Sequence, residues 1–263
     1  MKCAIITVAG ISSRFNEGLQ EEQHALKAVY SSDGNARHTL LWHLLEKCVY
    51  ADEIVIVGGY RFADLEQYLD RVSGAREQEA GGIERKRRIR LVYNDRFTDL
   101  ASGCSLHLGI KAALEDGATE ILFAEGDLDV DDASFARVVH AKESVLTYTR
   151  EPVYADKAVV VYQNAEGKFR YAFNASHGLL RIDEPFSCLL NSGQVWKFTD
   201  MEALRAANEA FQQEAPDGTN LYIIQRYFDT VAASEPVLLE QWTNCNTRED
   251  YAKILSRWVQ QEM

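Results

Sequence analysis

Proline is scarce in this chain, at 4 of 263 residues, which together with 46% hydrophobic and 26% charged residues excludes a long disordered protein. Paired cysteine motifs are missing. The five cysteines, Cys3, Cys48, Cys104, Cys188 and Cys245, are odd in number and form no C-x-x-C, so neither a disulfide framework nor a zinc ribbon is expected. Reduced thiols and a cytoplasmic location are the expectation. No apolar run reaches membrane-spanning length, and the N-terminus enters a short strand-like run without the longer apolar stretch of a signal peptide. Positive charge is also lacking. A net charge of −12 argues against nucleic acid or an anionic membrane as the main partner. It leaves room for a small phosphate ligand, which needs only a local basic cluster or a set of backbone N–H groups. There is no Walker loop, no G-x-G-x-x-G, no G-x-S-x-G elbow and no H-x-x-x-H pair; the six histidines are scattered.

What is present is an alternation of two periods. Lys2–Thr7, Glu53–Val57, Ile89–Tyr93 and Glu120–Ala124 are short apolar runs that read as buried strands. Between them Thr39–Val49, Phe62–Val72 and Ser105–Leu114 carry apolar residues at helical spacing. Strand and helix in strict turn imply a mostly parallel sheet covered on both faces. Arg76–Arg88 reads as a charged, solvated connection. After residue 143 the pattern changes. Ser144–Thr149, Lys157–Tyr162 and Lys168–Phe173 are strand-like, the last two flanking Asn164-Ala165-Glu166-Gly167, a hairpin signal. Helices are expected at Asp200–Phe211, Asn220–Val231 and from about Arg248, with a strand at Val237–Trp242. The simplest organisation is one domain over 1–263, with an antiparallel elaboration in its second half.

Ligands of open parallel sheets sit at the carboxyl ends of strands, and three features fall at such ends: Ala9–Arg14, Gly58-Gly59 and Glu125–Asp127. In the first, Gly10 lets the chain turn, Ser12 and Ser13 add hydroxyl donors, Arg14 offers a planar fork, and Lys27 brings a mobile charge. A plain βα turn with surface charges fits the same spacing. In the third, Asp127 is held at the rim of a buried strand, where a carboxylate suits Mg²⁺; an acidic turn or helix cap is the alternative. After the third strand, Ser102, Gly103 and Ser105 could face a base or phosphate, or simply start a helix.

In this order the motifs resemble those of the nucleotidyltransferases of the GT-A-like α/β fold. Their signature is close to L-A-A-G-x-G-[ST]-R followed by lysine; here Thr7-Val8-Ala9-Gly10-Ile11-Ser12-Ser13-Arg14 precedes Leu26-Lys27. The nearest resemblance is to the cytidylyltransferases for phosphocholine and phosphonates, through Ser105-Leu106 at a helix start and Asp127 after the fourth strand. Ser192-Gly193-Gln194-Val195-Trp196 resembles their "SG" strand end, and Asn246-Thr247-Arg248-Glu249-Asp250 resembles a closing D-T-x-x-D. Val8, Ser12 and Leu26 replace the usual Ala, Gly and Pro, and Asn246 stands where a second metal-binding aspartate is often found. Glu125, Asp183 and Glu184 are possible substitutes.

The resemblance implies a three-layer, Rossmann-like GT-A-type α/β fold, mostly parallel, with an antiparallel elaboration in the second half. It also implies transfer of a nucleoside monophosphate from a triphosphate, CTP favoured, to a phosphorylated small amine-type acceptor, phosphocholine or phosphonate-like, with release of pyrophosphate, residues 1–142 forming the nucleotide-binding half and 143–263 the acceptor-binding half. Arg14 would hold the β- and γ-phosphates and Lys27 the α-phosphate. Asp127, with Asn246, would bind Mg²⁺. Ala9, Gly10, Ile11, Ser12, Ser13, Ser102 and Ser105 would contact the nucleotide. Aromatics of the second half, Trp196 above all, with Glu184 nearby, could cage a cationic amine head group, although most such aromatics also suit a sheet core. The alternatives are a sugar-1-phosphate or molybdopterin-type acceptor, a GT-A glycosyltransferase using Asp127-Leu128-Asp129 as D-x-D, and a non-catalytic nucleotide-binding protein. A homodimer is a further expectation.

Overall fold

The computed structural model describes residues 1–79, 88–155, 159–172 and 180–262. The first half alternates as its sequence periods require: β1 (Lys2–Val8), α1 (Leu40–Lys47), β2 (Glu53–Gly58), α2 (Phe62–Glu79), β3 (Arg88–Tyr93), α3 (Ser102–Glu115) and β4 (Glu120–Glu125). Helix α2 runs seven residues beyond Val72 and takes in Arg76–Glu79 of the charged stretch, whose residues 80–87 lie outside the described residues. Thr39 caps α1 by accepting the Trp42 N–H at 3.1 Å.

Beyond β4 come β5 (Leu128–Val130), α4 (Asp132–His140), β6 (Ser144–Thr149), β7 (Val160–Asn164), β8 (Phe169–Tyr171), β9 (Phe186–Phe198), α5 (Met201–Glu214), α6 (Asn220–Thr230), β10 (Ser234–Leu238), β11 (Trp242–Asn244) and α7 (Arg248–Glu262). The hairpin expected between β7 and β8 is formed, with Gly167 in the left-handed region at φ 81°. Two expectations change. The run at Val237–Trp242 divides into β10 and β11, because β10 pairs with β6 while β11 turns away to pair with β5. The acidic turn after β4 holds β5 and α4, with Asp131 as the cap that accepts the Ser134 N–H at 2.8 Å.

The main sheet runs β10-β6-β9-β4-β1-β2-β3, with β7 on β9 and β8 on β7. Strands β1 to β4 are mutually parallel, and β9 joins β4 antiparallel, so both halves of the chain share one sheet. Alternate residues of β1 enter opposite cores. Ala4, Ile6 and Val8 pack with α1, α2 and α4, whereas Cys3 and Ile5 pack with α3, α5 and α6. This is a three-layer α/β sandwich, mostly parallel, with antiparallel strands on one side. Because β1 lies between β2 and β4, the winding reverses there, and the crevice outside the ends of β1 and β4 is the place such a fold offers a ligand. A third, small core of Phe15, Leu40, Cys245, Tyr251, Ile254 and Trp258 ties the loop after β1 to α7.

Candidate active site

A cavity of about 550 Å³ opens at that crevice. Its floor is made where β1 and β4 stop. A Cβ on Gly126 would sit 2.7 Å from the Thr7 carbonyl oxygen and against the Val8 side chain, so only glycine lets β4 turn this close to β1. The turn aims Asp127 into the cavity, and Lys27, 100 residues earlier, donates to its Oδ2 at 2.8 Å. The other oxygen, Oδ1, is buried with no hydrogen-bond partner among the described residues.

Glu125, at the end of β4, accepts a 2.7 Å hydrogen bond from Asn220 Nδ2. Burial first, and then the charge of Asp127, push its carboxyl upward; the Asn220 amide and Lys27 oppose them. Arg14 is exposed on the cavity rim with no ion-pair partner among the described residues. Ser12 carries the positive backbone angle of the opening loop, φ 57°, while open space surrounds the α-carbon of Gly10. Glycine is therefore not needed at position 10 for the turn. Position 12, where the signature it resembles has glycine, is the one whose backbone favours it. The Ser12 hydroxyl donates to the Gly10 carbonyl and accepts from the Lys27 N–H, each at 3.4 Å, linking the loop to the lysine.

Ala9, Gly10 and Ser12 line the cavity, but Ile11 and Ser13 do not; Ile11 points outward and is exposed. Gly58 and Gly59 also lie outside it. A Cβ at Gly59 would meet Phe97, so its small size serves the packing of the loop after β3. From that loop and α3, Asn94, Phe97, Ser102 and Ser105 form the opposite wall. Ser105 Oγ accepts from buried Asn94 at 2.9 Å, and Ser102 Oγ accepts the Asn220 N–H at 3.2 Å, fixing the start of α3 to the start of α6. Asn94 and Asn220 were not singled out by sequence. Neither belongs to a motif, and their role comes from contacts across long separations.

Asn246 lines the cavity as expected. The closing motif is also a helix cap: Thr247 N–H donates to Asp250 Oδ2 at 2.9 Å, and Asp250 N–H donates back to Thr247 Oγ1 at 3.1 Å. The Asn246 N–H joins the same carboxylate at 2.9 Å, so Asp250 acts by holding position 246. Arg248 reaches back across the loop. Its guanidinium lies 4.2 Å from the Phe15 ring centroid and 3.7 Å from that of Tyr30, and Nε donates to the Phe15 carbonyl at 3.2 Å. It thereby pins the segment between Arg14 and Lys27.

Asp129 takes no part in the cavity. It is buried, ion-paired to Arg257 at 2.7 Å, and accepts from Trp258 Nε1 at 2.9 Å. The two aspartates of Asp127-Leu128-Asp129 therefore serve different places, and the D-x-D pattern does not act as a unit. Trp196, expected at an acceptor cage, is a core residue. It is fully buried, stacked on Phe123 with ring centroids 5.1 Å apart, and donates to the Tyr171 hydroxyl at 2.6 Å. Glu184 likewise does not line the cavity. It accepts from the Tyr162 hydroxyl at 2.7 Å and lies 3.6 Å from Arg170 at the outer strands. Trp196 is in the core because β9 carries it through the middle of the sheet between β4 and β6, whereas Glu184 precedes β9 and is held by Tyr162 and Arg170.

The donor set fits a hard cation carried in with phosphate. It offers oxygen atoms alone: the free Oδ1 of Asp127, Glu125, and the amide oxygen of Asn246. No cluster of three or more His, Cys, Asp or Glu occurs among the described residues, so a metal here would rely on phosphate and water for much of its shell, as Mg²⁺ does.

The fold is one that solved nucleotidyltransferases share. The inositol-1-phosphate CTP transferase from T. maritima superposes with a TM-score of 0.67 at 13% identity, over 97% of this chain and 94% of that one. The CTP:phosphocholine cytidylyltransferase from Streptococcus pneumoniae gives 0.59 at 15%, over 98% and 99%. A UDP-glucose pyrophosphorylase bound to UDP-glucose gives 0.68 at 12%, over 99% of both chains. At these identities the likeness is one of fold. The chain belongs to the family described as a domain of unknown function, DUF6564, whose model matches residues 23–258 and so begins after the loop carrying Arg14. No curated protein matches the sequence. Among the described residues no helix is long and apolar enough to cross a membrane.

Proposed function

We propose that this cavity binds a nucleoside triphosphate, CTP favoured, and transfers its nucleoside monophosphate to a phosphorylated small molecule. An oxygen of the acceptor phosphate forms a bond to the α-phosphorus, the bond from that phosphorus to the bridging oxygen breaks, and pyrophosphate leaves. The observation that carries this reading is the Lys27–Asp127 contact at the ends of β1 and β4, with Asp127 Oδ1 left without a partner. Such a transfer needs positioning and charge neutralisation more than a protein nucleophile. The buried Cys245 thiol beside the site suits none, since burial pushes its pKa up to about 12.

In this reading Lys27 places its ammonium where charge grows at the α-phosphate, and Arg14 takes the β- and γ-phosphates. Backbone N–H groups from Ala9 to Ser12 face the triphosphate. Asn94, Ser102 and Ser105 border the space for base and ribose. Asp127 and Asn246, with Glu125 beside them, would hold Mg²⁺. When bound, that ion neutralises phosphate charge. Residues 1–142 supply most of the nucleotide wall, and the second half supplies the acceptor wall.

Pyrophosphate release from CTP, UTP, GTP and ATP, each with several phosphorylated acceptors and Mg²⁺, tests the reading. The expected result is release that depends on both substrates and is greatest with CTP. Hydrolysis or transfer from a nucleotide-sugar without pyrophosphate would point to a glycosyltransferase. Calorimetric binding of nucleotide with no turnover at any metal concentration would leave a non-catalytic binding protein, the role that Asn246 in place of a carboxylate favours.

A further inference from the structure

The acceptor side of the cavity is built differently from the phosphate side. Its described residues from the second half are Val159, Ala172, Gln194, Thr219, Asn220, Leu221, Asn244 and Asn246, all of them uncharged. The carboxylates of the described lining are Glu125 and Asp127, the first bonded to Asn220 and the second to Lys27. Among the described residues, a permanent cation would meet no carboxylate from the second half, and the Trp196 face is buried in the core.

Two of the amides form a pair with unused capacity. Asn244 Nδ2 donates to Gln194 Oε1 at 2.9 Å. Asn244 Oδ1 is buried and has no partner, and Gln194 Nε2 donates to nothing among the described residues. Exchanging oxygen and nitrogen on both amides leaves the same result, one spare acceptor beside one spare donor. Gln194 is buried and held at φ 57°, a backbone region that non-glycine residues seldom occupy. The hold is specific. Ser192 Oγ accepts the Gln194 N–H at 3.2 Å, Trp242 Nε1 donates to the Gly193 carbonyl at 2.9 Å, and a Cβ at Gly193 would strike Thr147 and Leu239.

Resting on the nucleotidyl-transfer reading, we propose that the acceptor is a phosphorylated polyol, with a hydroxyl seated between Gln194 and Asn244, and not a phosphorylated choline. A hydroxyl both donates and accepts, so one group satisfies Asn244 Oδ1 and Gln194 Nε2 together. A trimethylammonium has neither an N–H nor a lone pair and would leave the buried Asn244 Oδ1 unpaired and give Gln194 Nε2 no acceptor. A primary ammonium could donate to Asn244 but could not accept from Gln194.

The test is calorimetric binding of glycerol 3-phosphate, myo-inositol 1-phosphate, glucose 1-phosphate, phosphoethanolamine and phosphocholine. The protein is held with Mg²⁺ and an α,β-methylene CTP analogue, and pyrophosphate release is followed in parallel with CTP. At least one polyol phosphate should bind at least about tenfold tighter than phosphocholine. Asn244→Ala should weaken that polyol phosphate about five- to tenfold while the analogue's affinity stays within about twofold. Gln194→Gly should do the same, and glycine accepts the left-handed backbone, so a folding defect is not expected to mask the result. Phosphocholine binding as well as every polyol phosphate, no polyol phosphate binding at all, or both variants retaining full affinity would each overturn the assignment. A polyol phosphate that binds through these two residues without pyrophosphate release would support the hydroxyl site and sink nucleotidyl transfer.

Discussion

The two walls of the cavity differ in kind. At the ends of β1 and β4 the wall is charged: Arg14, Lys27, Glu125 and Asp127 stand within one crevice, and Lys27 is paired with Asp127. Across from it, β9, β11 and the start of α6 present amides and a hydroxyl with no net charge. A triphosphate changes its charge distribution as it reacts, and a wall of fixed charges answers that. A neutral group that only has to be seated is better matched by amides whose hydrogen bonds are directional. The contrast extends to neighbours in sequence. Asp127 faces the charged wall, while Asp129 is spent on Arg257 and Trp258 and serves the attachment of α7.

Breaking the charged wall should have the largest effect. Lys27→Ala should cut kcat/KM for pyrophosphate release by about 30- to 1000-fold, about 2–4 kcal/mol of transition-state stabilisation. Activity within about threefold of the parent would remove the lysine from the reaction. Next comes the support behind that wall. His43 stacks on Trp258 of α7 with ring centroids 3.8 Å apart. Burial first, then the charge of Lys47, lowers its pKa from 6.5 to about 4. Its proton therefore prefers the unfolded chain. Stability should hold above pH 6.5, fall as pH drops from 6.5 to about 4, and lose about 2–3 kcal/mol from this residue over that window. Urea unfolding at pH 7 and pH 4.5 checks this: His43→Gln should show a shallower loss than the parent, and equal losses would refute the assignment.

Arg248→Met should be milder, about tenfold in kcat/KM. It removes two cation–π contacts and the bond to the Phe15 carbonyl, together about 1–2 kcal/mol of loop positioning. The rise should fall on the KM for nucleotide, with the acceptor's KM unchanged, which distinguishes the two walls directly. The smallest effect belongs to Ser12. Ser12→Gly should alter thermal stability by less than about 0.5 kcal/mol, whereas Ser12→Val, β-branched at a positive φ, should cost about 1–2 kcal/mol. A valine variant as stable as the parent would contradict the left-handed geometry.

The charged wall was largely legible before the structure. Strands buried on both faces read as continuous apolar runs, and the residues just past them, Ala9 to Arg14 and Asp127, inherit a known position at the sheet rim. The neutral wall was not. Its strand β9 mixes Leu189-Leu190 with Asn191-Ser192-Gly193-Gln194, a composition closer to a turn than to a strand, and its pairing with β4, β6 and β7 comes from distant segments. Trp196 was visible as an aromatic, but whether it faces a ligand or a core depends on those pairings. Asn244 and Asn220 carry no local signal at all, since an asparagine reads as a turn residue wherever it stands.

By itself, then, the sequence determined the order of strands and helices in the first half and the rim that Lys27 and Asp127 share. These follow from periodicity and from strand ends. The tertiary structure alone decided that Ser12 rather than Gly10 bears the left-handed turn, that Asp129 and Trp196 are structural, and that Gln194 and Asn244 meet at the cavity wall. Each of these rests on a contact between segments far apart in the chain, or on a backbone angle imposed by such contacts, and no local pattern of residue types encodes it.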